Sequence, residues 1–417
     1  MRAALWFLAL FGIAVAVALF AGNNQGTVTV FWPPHRIDLS LNLVLLLLVG
    51  AFVLLHAALG ALAALLDLPK QALRWRTQQK ERAMHRALHD AISHLWAGRF
   101  IRARKSAEAA LAQEASLDAG GQRAPAAEQL RAVAHLLAAE SAQALQDKSA
   151  REEHLRRALD AAVARDAQET REGALMRAAE WSLEESDPEG AMGWLKGLPQ
   201  GAARRTLALR MKLRAARLAG RTSEALETAR LLAKHHAFSP GAAQSIVRGL
   251  AIDSLNGAYD VPQLQAAWQA LEPNERAMAE VAMHASHRLV QLGGDAAMSR
   301  EWLLPVWERE SQLAPALRVK LVDAFEEGLE SVDGAWLARF EAAQKANPRD
   351  ANLQYLAGMA CVKRQLWGKA QQLLMQAALG QQDARLHRNA WRALAKLAEQ
   401  RGDGDTAAQA WKRAADR

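Results

Sequence analysis

Residues 351–380 read ANLQYLAGMACVKRQLWGKAQQLLMQAALG, two segments with helical apolar spacing joined by a short polar stretch. Alanine, leucine, glutamine and lysine dominate both segments, and these residues favour helix. Gly358 in the first segment and Ala370 and Ala377 in the second are small, so two helix backbones can approach closely there. Trp367 stands at the start of the second segment. The stretch therefore predicts a helical hairpin.

The same pattern recurs elsewhere in the chain. In the last part of the chain the matching positions are Trp391, Leu394, Ala395, Gly402, Ala407, Trp411 and Ala414. Partial copies comprise Gly98, Phe100, Ala103, Ala107 and Ala110, and then Gly220, Ala225, Ala229 and Leu232. This spacing is similar to that of the tetratricopeptide (TPR) repeat, a helix–turn–helix unit of about 34 residues.

The predicted fold class is all-α, with a TPR-like α-solenoid over residues 98–417 whose clearest repeats are 351–417. An ordinary helical domain of chance similarity is the alternative, and two adjacent units in phase count against it. The number of repeats within 121–345 stays open, and 236–262 is the least regular stretch, a joint or a longer loop. Stacked hairpins form a groove that binds peptides or protein surfaces, so the architecture indicates a protein-interaction function.

Two long apolar runs precede the repeats. Ala3–Ala21 and Leu39–Leu66 contain no charged residue, and about 20 apolar residues suffice to cross a bilayer. We predict a membrane anchor over 1–68: two transmembrane helices, about 3–21 and 39–66, joined by a short periplasmic loop, 22–38. The alternative for the first run is a cleaved signal peptide, in which case the second run would still anchor the chain.

Cations predict the orientation of the anchor. A basic cluster follows the second run, and its members are Lys70, Arg74, Arg76, Lys80, Arg82 and Arg86. Arginine and lysine beside a span are retained in the cytoplasm, so we expect a multi-pass protein of the bacterial inner membrane with a large cytoplasmic C-terminal domain. Pro69 suits the first turn of a new helix, and 69–97 reads as a juxtamembrane basic amphipathic helix, continuous with the span or kinked from it. Its cations are expected at the anionic lipid surface.

Composition excludes several classes of function. The single cysteine, Cys361, rules out an internal disulfide framework and any CxxC pair, and its small-residue position favours packing. The net charge of +8 comes partly from the juxtamembrane cluster, and no nucleic-acid-binding module accompanies it. Phosphate-binding loops, HExxH and the nucleophile elbow are absent from the sequence. We therefore expect no enzyme, no catalytic residue and no nucleic-acid partner.

Histidine pairs are the remaining chemical candidates. His85 and His89 lie one helical turn apart, and His284 and His287 lie three residues apart. Such pairs can ligate a metal or haem, but a real site needs further ligands, and solvated or capping roles are favoured. We expect no metal, leave direct contact with haem or porphyrin open, and interpret Trp367, Trp391 and Trp411 as core residues of the repeats.

The N-terminal part of the chain resembles the proteobacterial HemY family. The resemblance rests on a loop reading Asn23-Asn24-Gln-Gly-Thr-Val-Thr-Val-Phe-Trp32, a leucine-rich span, and Trp96-Ala-Gly98-Arg-Phe100 opening a TPR-like array. It implies an inner-membrane protein associated with haem biosynthesis and with pathway enzymes such as ferrochelatase. It supplies no active site, and the chain lacks the dinucleotide fingerprint of the unrelated flavin-dependent protoporphyrinogen oxidase that shares the name.

Three functional hypotheses follow. The first is a membrane-anchored scaffold for haem-pathway enzymes or their intermediates. The second is a TPR scaffold for another envelope process such as lipopolysaccharide assembly; the TPR partner known there carries CxxC pairs, which this chain lacks. The third is an enzyme or porphyrin carrier that uses histidines of the groove.

Overall fold

A computed structural model describes residues 2–23, 25–119, 126–163 and 165–415. The described residues are helical apart from one β-hairpin, and they divide into two compact units, Met1–Ala167 and Gln168–Arg417. The all-α class with helical-hairpin repeats is therefore confirmed.

The first unit contains five helices and two strands: α1 (Arg2–Asn23), β1 (Thr27–Trp32), β2 (His35–Ser40), α2 (Leu41–Trp96), α3 (Phe100–Asp118), α4 (Ala127–Ala144) and α5 (Lys148–Ala161). The second unit contains α6 (Gln168–Glu184), α7 (Pro188–Lys196), α8 (Gln200–Ala203), α9 (Thr206–Leu218), α10 (Thr222–Lys234), α11 (Pro240–Asn256), α12 (Val261–Ala270), α13 (Pro273–Arg276), α14 (Ala279–Gln291), α15 (Ala296–Trp307), α16 (Pro315–Glu327), α17 (Gly334–Ala346), α18 (Ala351–Lys363), α19 (Trp367–Gly380), α20 (Ala384–Gln400) and α21 (Gly404–Ala415). Short 3₁₀ turns lie at 165–167, 310–312 and 329–331.

Strands β1 and β2 pair antiparallel, with Thr27 opposite Ser40 and Trp32 opposite His35. β-branched residues favour this conformation in β1. The Ser40 side chain then accepts the backbone N–H of Leu43 and caps α2, so the hairpin leads directly into that helix. Residues 22–38, predicted as a loop, thus contain most of a β-hairpin whose two strands lie on either side of Pro33-Pro34.

Helix α2 is continuous from Leu41 to Trp96 and includes Pro69, so of the two arrangements left open by the sequence the structure has the continuous one. Among the described residues, one helical stretch, Leu41–Leu62, is long and apolar enough to cross a membrane. The helix rises about 1.5 Å per residue, so residues 63–96 extend about 50 Å beyond that stretch.

The described residues form nine helical hairpins. Eight of them are the contacting helix pairs α2/α3, α4/α5, α6/α7, α9/α10, α11/α12, α14/α15, α18/α19 and α20/α21. In the ninth, α16/α17, the helices meet through the rings of Phe325 and Trp336. Only the C-terminal part of α2 takes part in the first pair, where Met84, Leu88 and Ala91 are buried against α3 and α4. Six of these pairs fall within 121–345, the stretch in which the sequence left the number open.

The least regular stretch of the sequence is mostly helix rather than a joint. Residues 240–256 form α11, which begins at Pro240 behind a Ser239 cap. Ser239 accepts the backbone N–H of Ala242, and proline suits the first helical turn because it needs no N–H partner there. The expectation of a long loop over 236–262 was therefore wrong.

Tryptophan and phenylalanine rings fill the middle of the second unit. Trp268 and Trp302 stack with centroids 4.7 Å apart, and Trp307 packs edge-on against Phe325 at 5.3 Å. Four tryptophans of this unit are buried in the core: Trp268, Trp302, Trp307 and Trp336. Edge-to-face and offset contacts of this kind add to the area that the rings bury.

Within the second unit, the first helices of successive hairpins form a layer of their own. Helix α11 contacts α14, α14 contacts α16, α16 contacts α18, and α18 contacts α20. We call the surface formed by these helices the first-helix layer.

Candidate protein-binding surface

A line of polar side chains crosses the first-helix layer. His284 Nε2 lies 2.7 Å from Asn256 Oδ1, which joins α14 to α11. On the next turn, His287 Nδ1 lies 2.7 Å from a carboxylate oxygen of Glu327, which joins α14 to α16. His287 Nε2 is 2.7 Å from the amide nitrogen of Gln291. The two histidines singled out from the sequence therefore act as hydrogen-bonding links between helices.

The line continues on α16, α18 and α20. The Tyr355 hydroxyl donates to Glu326 Oε1 at 2.6 Å, and Asn389 approaches the same oxygen at 3.4 Å. Burial, with the nearby Glu327 carboxylate adding to it, raises the pKa of Glu326 even though Tyr355 and Asn389 lower it. Burial and the Glu326 charge also raise the pKa of Tyr355. The Tyr355 hydroxyl therefore donates to a carboxyl group that is partly removed from water.

Arg385 supplies the positive charge at this end of the layer. Its guanidinium pairs with Asp323 and lies 3.9 Å from Glu326 Oε2. Burial lowers the pKa of Arg385. Carboxylates, imidazoles and a half-exposed guanidinium thus lie along one surface of these helices.

At their other ends, away from this line of polar side chains, the first helices border an open groove of about 670 Å³. Its lining mixes apolar side chains such as Val247 and Leu313 with the polar groups of Glu280 and Arg309. Arg309 donates to the Ala277 carbonyl at 2.9 Å, so this cation already holds the wall together.

The predicted pair His85 and His89 lies on α2. Both side chains are exposed, although each directly follows a buried residue, Met84 or Leu88. His284 and His287 belong to the second unit, and within the described residues no three His, Cys, Asp or Glu side chains converge as a metal site.

The predicted basic cluster is spread along α2. Arg76, Lys80, Arg82 and Arg86 are exposed, and the side chains of Lys70 and Arg74 lie outside those that the structure describes. On a helix that continues from the span, Arg86 lies about 36 Å beyond Leu62. Because charges are screened over about 10 Å at 0.1 M salt, only the first cations of the cluster can lie near the lipid surface of an emerging helix.

The predicted packing residues occupy distinct places in their hairpins. Ala103, Ala370 and Ala407 are buried on second helices, Phe100 is half-buried, and Gly98 and Gly402 are turn residues with φ of 69° and 76°. Gly358 lies inside α18 against Leu374. These positions follow the helix–turn–helix pattern.

The three repeat tryptophans differ in burial. Trp391 is buried at 4% exposure, whereas Trp367 and Trp411 retain 39% and 37%. Trp367 is the first residue of α19 and Trp411 lies on α21, the last described helix, so fewer neighbours cover them. The core interpretation is corrected for these two. Cys361 is fully buried, and burial raises the pKa of its thiol, which matches a packing role.

One polar cluster in the first unit has no counterpart in the sequence analysis. His135 Nδ1 and His154 Nδ1 lie 3.1 Å apart beside an open cavity of about 750 Å³. Burial, with His154 and Arg157 nearby, lowers the pKa of His135 to about 4. The pair comes from different helices, α4 and α5, so no local spacing marks it.

The described residues form helical hairpins that continue from an apolar helix, an architecture that suggests protein–protein interaction. The family model described as "HemY protein N-terminus" matches residues 26–146, which include the apolar stretch and the first hairpin. This N-terminal region is similar to the HemY family over those residues, and the resemblance read from the sequence is confirmed. The match and the helix Leu41–Leu62 together indicate membrane association.

Other comparisons are distant. No functionally curated protein matches the chain. Among solved structures, the APC/C hetero-tetramer Cut9–Hcn1 is similar over 80% of this chain at 13% identity and a TM-score of 0.28. Naa15/Naa10 bound to HypK-THB is similar over 78% at 14% identity and a TM-score of 0.26. The chain spans 66% and 56% of the length of those two chains.

Proposed function

We propose that this protein is a membrane-anchored, non-catalytic scaffold associated with haem biosynthesis. The observation that carries the anchored scaffold is that one helix, α2, contains both the apolar stretch Leu41–Leu62 and the buried residues of the first hairpin. An interaction domain joined to a membrane helix without a flexible linker is held at a set distance from the bilayer. The association with haem biosynthesis is supported by the HemY family match.

The proposed topology has two spans. The first is the helix Arg2–Asn23, whose central residues are apolar, and the second is the stretch within 39–66. The basic residues that follow favour a cytoplasmic C-terminal domain and a periplasmic loop at 22–38. Leu41–Leu62 anchors the chain in the inner membrane whether or not the first helix is retained.

The first-helix layer is the proposed contact surface for pathway enzymes such as ferrochelatase. His287 and Glu327 are 47% and 39% exposed in their side chains, so a partner can reach both while they remain paired. Holding two enzymes on one scaffold raises their effective concentration for each other. A hydrophobic porphyrin then passes between them without free diffusion.

Affinity capture of the tagged full-length protein from membranes, after mild cross-linking in cells, tests this function. Ferrochelatase or another tetrapyrrole enzyme should be recovered, and the H287A/E327A double variant should lose it. The matched control is K369A/E341A, which removes an ion pair of 2.7 Å between second helices. Failure to recover any tetrapyrrole enzyme would contradict the proposal, and specific recovery of lipopolysaccharide-assembly proteins would favour the second hypothesis.

A further inference from the structure

The turn of the first hairpin exposes apolar side chains that packing does not account for. Trp96 is 85% exposed and Ile101 is 73% exposed, and Leu145 from the turn of the second hairpin lies beside Ile101. A large aromatic side chain left almost entirely in water is uncommon in a folded domain and is a frequent anchor in protein interfaces.

Three cations surround these side chains: Arg99, Arg102 and Lys105 are all exposed. In the described part of the chain, none of the three forms an ion pair. The carboxylates of Asp147 and Glu108 are engaged instead by Arg104, at 2.9 and 3.6 Å. The positive charge of this surface is therefore not neutralised by the chain itself.

Helix α3 adds partial positive charge at the same place. It begins at Phe100, and its N-cap residue Arg99 makes no side-chain capping hydrogen bond. The first backbone N–H groups of α3 lack partners within the helix, and such an end attracts carboxylates. A shallow depression of about 450 Å³, lined by Gly98, Arg99, Phe100, Ile101, Arg102 and Leu145, lies over this helix end.

We propose that these residues form a docking site, the turn patch (Trp96, Arg99, Ile101, Arg102, Lys105 and Leu145), for an acidic amphipathic segment of a partner protein. An apolar side chain of that segment packs on Ile101 and Leu145, and its carboxylates face Arg99, Arg102 and the start of α3. The site rests on the proposed scaffold function and specifies the chemistry of one partner.

Distance argues against lipid as the occupant. Helix α2 is continuous, and Trp96 lies about 50 Å along it from Leu62. That distance is several screening lengths at physiological salt. The charge of the lipid headgroups is therefore screened before it reaches the turn patch when α2 extends away from the bilayer. A protein segment that approaches from solution is not limited in this way.

Binding of a labelled peptide tests the proposal. The full-length protein in nanodiscs of zwitterionic lipid is titrated against a fluorescein-labelled 12-residue peptide of glutamate, leucine and tryptophan, and against its twin with lysine in place of glutamate. We expect the acidic peptide to bind and the lysine peptide not to bind. Binding of the acidic peptide should be weaker at high salt. The R99E/R102E variant should weaken binding at least about tenfold, and W96A several-fold.

The charge-matched control is R392E/K396E, two exposed cations one turn apart on α20, which should leave binding unchanged. Equal binding of both peptides, or an R99E/R102E variant that binds like the control, would overturn the proposal. Flotation with phosphatidylglycerol vesicles that depends on Arg99 and Arg102, without peptide binding, would overturn it in favour of lipid.

A photo-cross-linker at position 101 identifies the natural contact in cells. Attachment to an acidic segment supports the proposal, and attachment to a basic or uncharged segment contradicts it. If R99E/R102E leaves capture of tetrapyrrole enzymes intact while H287A/E327A abolishes it, the turn patch fails and the scaffold function stands.

Discussion

Leu374 occupies the space that a side chain at Gly358 would need. A Cβ atom built on Gly358 would lie 2.8 Å from Leu374 Cγ and 3.2 Å from the Leu374 backbone nitrogen. Helices α18 and α19 are therefore in backbone-close contact at this point. The small residue that predicted the hairpin is the residue that permits this approach.

Replacement of Gly358 by alanine should destabilise this hairpin. The leucine side chain can shift, but the backbone of α19 must move as well, and overpacking of this kind costs about 1–3 kcal/mol. Hydrogen exchange over 351–380 in the full-length protein measures the effect. Gly249→Ala on α11 is the control, because open space surrounds that position and alanine there should be neutral or stabilising. Equal protection in both variants would contradict the close approach.

Arg300 should be essential for the turn at 328–331. Its buried guanidinium donates to the Gly328 carbonyl and, at 2.8 Å, to the Ser331 carbonyl. Arg300→Met leaves both carbonyls without that donor, at a cost of roughly 2–4 kcal/mol. Faster hydrogen exchange across this turn and α17 is the expected result. Arg392→Met, at an exposed position, should have no such effect. Equal hydrogen exchange in the two variants would show that the hydrogen bonds of Arg300 do not stabilise this turn.

A lower pH should destabilise the first unit, because His135 then becomes protonated. Its pKa is about 4 in the folded chain and near 6.5 when unfolded, so the unfolded chain binds more protons between these values. The contribution of neutral His135 to the free energy of unfolding is therefore fully present above pH 6.5. It is lost as the pH falls toward 4, by up to about 3 kcal/mol. Hydrogen exchange of α4 and α5 at several pH values checks this. His135→Gln should flatten the dependence, and an unchanged slope would refute the assignment.

Glu326 should have the opposite pH dependence. Burial raises its pKa, so the folded chain holds this proton to higher pH than the unfolded chain does. Its contribution to stability therefore falls as the pH rises above about 4.5. Glu326→Gln keeps the acceptor for Tyr355 and should gain stability relative to wild type between pH 5 and 7.5. Glu301→Gln, at an exposed position, serves as reference. If Glu326→Gln gains no more stability than Glu301→Gln does, the prediction is contradicted.

Turn chemistry explains which hairpins the sequence revealed. Gly98, Gly220 and Gly402 hold left-handed turns, and each marks a repeat that the sequence predicts. Gln146 and Ser186 hold the same conformation with φ of 59° in hairpins that the sequence did not resolve. Non-glycine residues occupy this region at some cost, so the expected marker is missing although the turn is present.

The interaction surface was less predictable than the fold. His284 and His287 drew attention as a local pair, but their partners, Asn256 and Glu327, lie on other helices. The link from His135 to His154 likewise depends on packing between helices. Periodicity places a residue on one side of a helix, whereas a site between helices depends on how successive hairpins stack.

The central claim is that the membrane span and the first repeat share one rigid helix. Spin labels at Leu66 and Ser93, both exposed, measure this by pulsed dipolar spectroscopy in nanodiscs, with the buried Cys361 replaced by alanine. A continuous α2 predicts a narrow distance distribution near 40 Å, at about 1.5 Å per residue. A broad distribution, or one centred well below that value, would show that the helix breaks after the span and would contradict the account.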